Sequence, residues 1–419
     1  MSRIQKTTLK SGINVITEEM PDVESSSIGV WVNTGSRNEA REVNGVSHFI
    51  EHLLFKGTDK RTALDISREI ESVGGVLNAF TSREYTCFYA KVLNKDLPMA
   101  IDLLSDIFMN SKFDKKEIEK EKMVVLQEIK MVEDTPDDFI HDLFAERFWK
   151  DHPIGWSILG PAETIKSMGR AEIMEYFKDR YSPDNVFITA AGGLKHSKVT
   201  RLLKSTFGSI KGKSGKAVHD SPAPVPGLKL IKKDLEQVHL CLGVPAPPQP
   251  HPDRYKIFLL STILGGGMSS RLFQEIREKR GLCYSVYSYL SLYKDAGSLI
   301  AYAGSSKDSF AEVVRLILSE FRKLPKSITK DELKNAKEQL KGGMLLGLET
   351  SDNRMTKLAR DEIYFGEVVP VKDIVKGIDK VTLNEMRNLA SELLSAEKIT
   401  LVAMGKVSQK GLPEWLKLN

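Results

Sequence analysis

His48-Phe49-Ile50-Glu51-His52 decides how the chain is read. If these five residues are helical, His48 and His52 sit about 40° apart around the axis, and Glu51 lies about 60° to the other side of His48. All three side chains then share one face. Two neutral imidazoles at that spacing can hold one zinc ion and leave the carboxylate beside it free to act as a base. The pattern H-x-x-E-H therefore predicts a helix here with a metal on its face.

The flanking residues supply that helix. Asn44 can cap its start, and Lys56 followed by Gly57 gives a basic last turn and a C-terminal stop. Upstream, Ile28, Val30 and Val32 alternate with Gly29, Trp31 and Asn33, which predicts a strand with one buried face. Further out, Thr7–Leu9 and Asn14–Thr17 flank the turn residues Lys10-Ser11-Gly12 as a hairpin. Downstream, a helix near Ala63–Ser72 stops at Gly74-Gly75, and two strands pair around Thr81-Ser82-Arg83-Glu84. Asp114-Lys115-Lys116-Glu117 resembles a capping box and opens a long helix through about Val132, which carries Glu121 and Glu128.

Residues 211–227 collect glycines and prolines among lysines and serines, with few large apolar side chains, and read as a linker. The half of the chain after this linker repeats the half before it. Phe113–Ile118 aligns with Ile328–Leu333, and Asp134-Thr135 with Glu349-Thr350, at one constant offset. Asn185–Gly192 matches Lys398–Gly405 at nearly the same offset. The expected fold is α+β: two homologous domains, 1–210 and 228–419, each a mostly antiparallel sheet with helices packed on one face. The repeat is also an internal control. Glu121 aligns with Ala336 and Glu128 with Gly343, and the second half has no H-x-x-E-H, so the shared fold does not demand these groups.

A catalytic zinc ordinarily keeps three protein ligands and one open position, so His48 and His52 need a third partner. Glu121 and Glu128 are two helical turns apart, about 10 Å, and cannot both ligate one ion. Spacing alone does not choose between them. The one not used could steady a ligating histidine instead.

The bulk composition removes other classes. With 419 residues, 41% hydrophobic and 28% charged, the chain has a core to build and is neither disordered nor fibrous. No apolar run approaches the ~18 residues of a membrane span, and Met1–Lys6 offers no apolar signal segment, so no membrane partner is expected. A formal charge of +5 with dispersed lysines argues against nucleic acid. Three cysteines without a C-x-x-C pair fit a reducing compartment. Leu264–Ser270 is glycine-rich but lacks the following Gly-Lys-Ser/Thr of a phosphate loop.

Taken together, the motif, the downstream glutamates and the duplication resemble the inverzincin metallopeptidases of the pitrilysin (insulinase) type, in the short-chain branch that includes mitochondrial processing peptidase. The resemblance covers nearly the whole chain. It implies a zinc endopeptidase, one Zn2+ per chain, that hydrolyses unfolded peptides with Glu51 as general base. In that family the third ligand is a glutamate far downstream, and residues 53–127 separate His52 from Glu128. The resemblance thus picks Glu128 and leaves Glu121 in support. Asn78-Ala79-Phe80-Thr81 resembles the edge strand that takes a substrate as an added strand. Arg277 and Tyr284 resemble the pair that reaches the substrate carbonyl from the second domain. Similarity further implies a clamshell closed by a second copy, a homodimer whose Arg277 and Tyr284 serve the partner's metal site. A bacterial cytoplasm is the expected location, with a processed organellar protein as the alternative. The rival reading, a non-catalytic scaffold subunit of the same family, would be expected to have lost a ligand or the base.

Overall fold

Alternation along the strands sets up two sheets with separate cores. In the computed structural model, which describes residues 3–215 and 220–417, the first sheet has six strands. They are β1 (Arg3–Thr8), β2 (Asn14–Glu19), β3 (Ser25–Val32), β4 (Val76–Thr81), β5 (Thr86–Leu93) and β6 (Val186–Gly192), in the order β1-β2-β6-β3-β5-β4. Only β2 and β6 run parallel; the other pairs are antiparallel. The second sheet has β7 (Gly227–Lys232), β8 (Val238–Pro245), β9 (Cys283–Leu292), β10 (Gly297–Ser305) and β11 (Thr400–Gly405), in the order β7-β11-β8-β10-β9. Here β7 and β11 are the parallel pair. Each sheet is thus mixed and mostly antiparallel, with a hairpin at one edge formed by β4 or β9.

Ile28, Val30 and Val32 point into a core shared with Val46, Phe49, Ile50 and Leu53 of the motif helix (Val46–Leu53), as their alternation requires. The expectation of only one buried face on β3 does not hold, because Trp31 is buried as well. Its face packs with Phe187, Met355 and Ala359, the last two from a helix at Ser351–Phe365. The approach is close: a Cβ on Gly29 would lie 2.7 Å from Trp31 Nε1 and 3.1 Å from Met355 Sδ, so glycine is required there. Trp31 Nε1 donates to Thr189 Oγ1, whose hydroxyl donates to the Met355 carbonyl, so the polar atoms of this face are paired.

The second sheet repeats this arrangement. Val238, Leu240, Leu242 and Val244 of β8 face one core. Cys241, on the other face, packs with Ile140, Phe144 and Phe148 of a helix at Pro136–Phe148. The compact units are therefore not the contiguous domains expected at 1–210 and 228–419. One comprises the chain up to Lys130, the stretch from Trp156 into the linker, and Leu346–Val368; the other holds Met131–Gly155, the chain from Asp220 to Leu345, and that from Val369 onward. The physical reason is burial: each sheet has a second apolar face, and a helix from the other sequence half covers it. The change of unit near 219–220 falls inside the expected linker, of which residues 216–219 lie outside the described residues. The three cysteines are buried thiols. Among the described residues no helix is long and apolar enough to cross a membrane.

Candidate metal centre

The motif helix is short, and its start depends on a residue that the sequence pattern does not reveal. Gly45, not Asn44, occupies the N-cap, with φ of +98° and its Cα against Leu159, where a Cβ would meet the carbonyl oxygen at 2.5 Å. Glu39 supplies the acceptors. Its carboxylate takes the N–H of Gly45 at 2.7 Å, that of Ser47 at 2.8 Å and the Asn44 side-chain amide at 2.8 Å. Asn44 therefore acts one step back, as a donor to the cap. A negative charge here also suits the helix dipole. Burial nonetheless pushes the Glu39 carboxyl above the usual carboxylate range, against the pull of these hydrogen bonds.

From this anchored helix His48 and His52 point at Glu128, on the helix Lys115–Glu133. The two Nε2 atoms are 3.3 Å apart, and Glu128 Oε2 lies 3.7 Å from His48 Nε2 and 3.5 Å from His52 Nε2. Ligands on a tetrahedral zinc, with bonds near 2.0–2.1 Å, are separated by about 3.4 Å. The three donors thus form one face of such a tetrahedron, and their chemistry fits zinc. Burial, with neighbouring His52, brings His48 down to about 3, so its imidazole is neutral, the form that ligates.

Glu121 stands on the other side of His52. Its Oε2 accepts from His52 Nδ1 at 3.0 Å, which leaves the Nε2 lone pair for the metal side. Its Oε1 meets Lys56 Nζ at 2.6 Å. His48 Nδ1, by contrast, is buried without a hydrogen-bond partner among the described residues.

Glu51 lies beside the three donors and accepts a hydrogen bond of 2.5 Å from the hydroxyl of Thr81. Burial raises its carboxyl above the usual range; the Thr81 hydroxyl and His52 pull it down, and the charge of Glu128 pushes it further up. A raised carboxylate is better matched to taking a proton near neutrality. Thr81 ends β4, which among the described residues pairs in its sheet only with β5, so Asn78, Ala79, Phe80 and Thr81 lie on an edge strand. The four differ in direction. Ala79 packs against the core on the helix side, whereas the Phe80 ring sits on the opposite face, 5.8 Å from Trp31.

Arg277 and Tyr284 belong to the other unit. Arg277 lies in a π-helical segment, Phe273–Glu278, and its guanidinium is 4.7 Å from the Phe273 ring and 4.9 Å from the Tyr284 ring. Held between two rings, it is pre-oriented. Tyr284 is 79% exposed on edge strand β9. Sequence reasoning missed Glu39 and Phe273, and read Lys56 only as a basic last turn, not as the partner of Glu121. Glu39 reaches its partners across a turn, and Lys56 pairs with a glutamate on a separate helix far along the chain; neither contact follows a repeating pattern. An aromatic residue four before Arg277 was a signal for Phe273.

Comparison with known proteins places the chain in a family. The family model for insulinase (peptidase family M16) matches residues 14–162, and that for the peptidase M16 inactive domain matches residues 167–340. An uncharacterized zinc protease of Mycobacterium tuberculosis strain H37Rv is 41% identical, covering 99% of this chain and 96% of its own. The uncharacterized zinc protease YmxG of Bacillus subtilis is also 41% identical, over 94% of this chain and 96% of its own. Two solved structures share the fold. A protease from Helicobacter pylori superposes with a TM-score of 0.89 at 24% identity, covering 97% of this chain and 100% of that one. A peptidase M16 inactive domain from Pseudomonas fluorescens gives 0.90 at 21% identity, covering 98% and 100%. The match over most of its length, and the relatives spanning nearly all of it, place the chain in the insulinase family of peptidases, family M16.

Proposed function

We propose that the protein is a zinc-dependent endopeptidase that hydrolyses unfolded peptides or peptide segments of proteins. The observation that carries this reading is the triangle of His48 Nε2, His52 Nε2 and Glu128 Oε2 with the Glu51 carboxylate beside it. These three residues would hold the ion, and Glu121 would fix the His52 tautomer. Bound zinc would supply Lewis acidity, which acidifies water and polarises a carbonyl. Glu51 accepts the proton of the attacking water and returns it to the nitrogen of the leaving amine. The open side of β4 would receive an extended peptide by backbone hydrogen bonds, which suits substrates of varied sequence. Arg277 and Tyr284 would bind the substrate carbonyl in the site of a partner copy, which makes the active unit a homodimer.

The scaffold reading has less support, because the residues proposed as ligands and as base are all present and lie together. The test is turnover of an unstructured peptide by zinc-loaded protein. Glu51→Gln should lower kcat by at least about a hundredfold while zinc content stays at the wild-type level. A variant that cleaves at the wild-type rate would show that Glu51 is not the base.

A further inference from the structure

Thr81 occupies an unusual place: it is the last residue of an edge strand, and its side chain touches the base on the motif helix. Leu77 and Ala79 face the helix-side core, and Thr81 comes after them at the two-residue period of a strand, so its hydroxyl points the same way. A β-branched side chain has few rotamers, which limits where that hydroxyl can go. The turn after Thr81 is also held. Ser36 N–H donates to the Ser82 carbonyl at 3.3 Å and Arg37 N–H to the Arg83 carbonyl at 2.9 Å. The Arg37 guanidinium pairs with Glu84 at 2.7 Å, both largely buried, and Tyr364 donates to the other Glu84 oxygen at 3.1 Å.

From this geometry we infer that Thr81 is a positioning residue for Glu51, a role that rests on the endopeptidase reading. Its hydroxyl engages Oε2, fixes the plane of the carboxylate and assigns the proton-handling work to Oε1. It also joins the base to the strand on which substrate would add, so one short hydrogen bond links the two halves of the site. The competing account is that a threonine merely satisfies a buried carboxylate, or that its side chain binds peptide.

Thr81→Val and Thr81→Ser in the full chain separate these accounts. Three quantities are needed: kcat and KM on an unstructured peptide, zinc content, and the affinity of the metal-free protein for the same peptide by fluorescence anisotropy. The valine variant should lose 10- to 100-fold in kcat. Its KM, zinc content and metal-free affinity should stay at wild-type values, and the serine variant should keep most of the rate. Thr81→Ala serves if valine perturbs folding. The proposal is overturned if valine or alanine turns over at the wild-type rate, if the loss is in KM or metal-free affinity, or if serine loses as much. Wild-type protein that cleaves no peptide when zinc-loaded overturns the function reading as well, whereas active wild type with an unaffected valine variant overturns the role of Thr81 alone.

Discussion

Glu121 and Glu128 share a helix and a charge, yet the fold gives them different neighbours. Glu128 brings an oxygen within 3.7 Å of both Nε2 atoms, while Glu121 approaches the far nitrogen of His52. Removing Glu128 takes away a donor; removing Glu121 frees the ring to rotate or change tautomer. Glu128→Gln should therefore lose zinc to a chelator that leaves the wild type loaded, and Glu121→Gln should weaken affinity by about 10- to 100-fold. Competition titration with a zinc chelator measures both, and equal metal retention by the Glu128 variant would remove it from the ligand set. The spacing of the motif was legible in the sequence because both histidines and the base ride on one helix. The choice between two glutamates was not legible from spacing, since it depends on how the second helix crosses the first, and at the level of sequence it rested on the family resemblance alone.

At the scale of elements, the motif helix has eight residues, too few to be stable without its neighbours, and Glu39 binds the N–H groups at its start. Glu39→Gln replaces one acceptor oxygen by a donor and should destabilise the fold by about 1–2 kcal/mol. The pH dependence has a definite sign. Because burial raises the Glu39 carboxyl in the folded state, that state binds the proton more readily than the unfolded chain does. Its contribution is complete below the unfolded pKa, about 4.3, and is lost as pH rises through the raised folded value. Urea unfolding of metal-free wild type and Glu39→Gln across this range should show the wild-type advantage shrinking with rising pH. An advantage that grows instead would mean that the three hydrogen bonds outweigh burial. Asn44 looked like the cap because residue type and position suited it. Glu39 reaches the same N–H groups through a turn, a contact that no periodicity encodes.

At the scale of the molecule, the proposed sharing of sites between two copies makes a quantitative prediction. Mixing Glu51→Gln with Arg277→Ala under conditions of subunit exchange should give up to about a quarter of wild-type activity, since half the dimers are mixed and each holds one intact site. Activity that stays at the level of the separate variants, with mixed dimers present, would place Arg277 in its own chain's site or in none. The duplication behind this architecture was legible from the constant offset between halves. The trading of helices was not, because Pro136–Phe148 and Ser351–Phe365 occupy equivalent places in the repeat, and an exchange of equivalents leaves the pattern unchanged. That exchange also sets an order of events during synthesis. Trp31 and Phe187 are covered by a helix that ends at Phe365, so the unit holding His48, His52 and Glu128 cannot be finished until at least 365 of the 419 residues have been made. A nascent peptidase of this design stays structurally incomplete until most of its own chain has emerged, and a fragment ending at the linker would need residues 346–368 supplied separately to close its sheet.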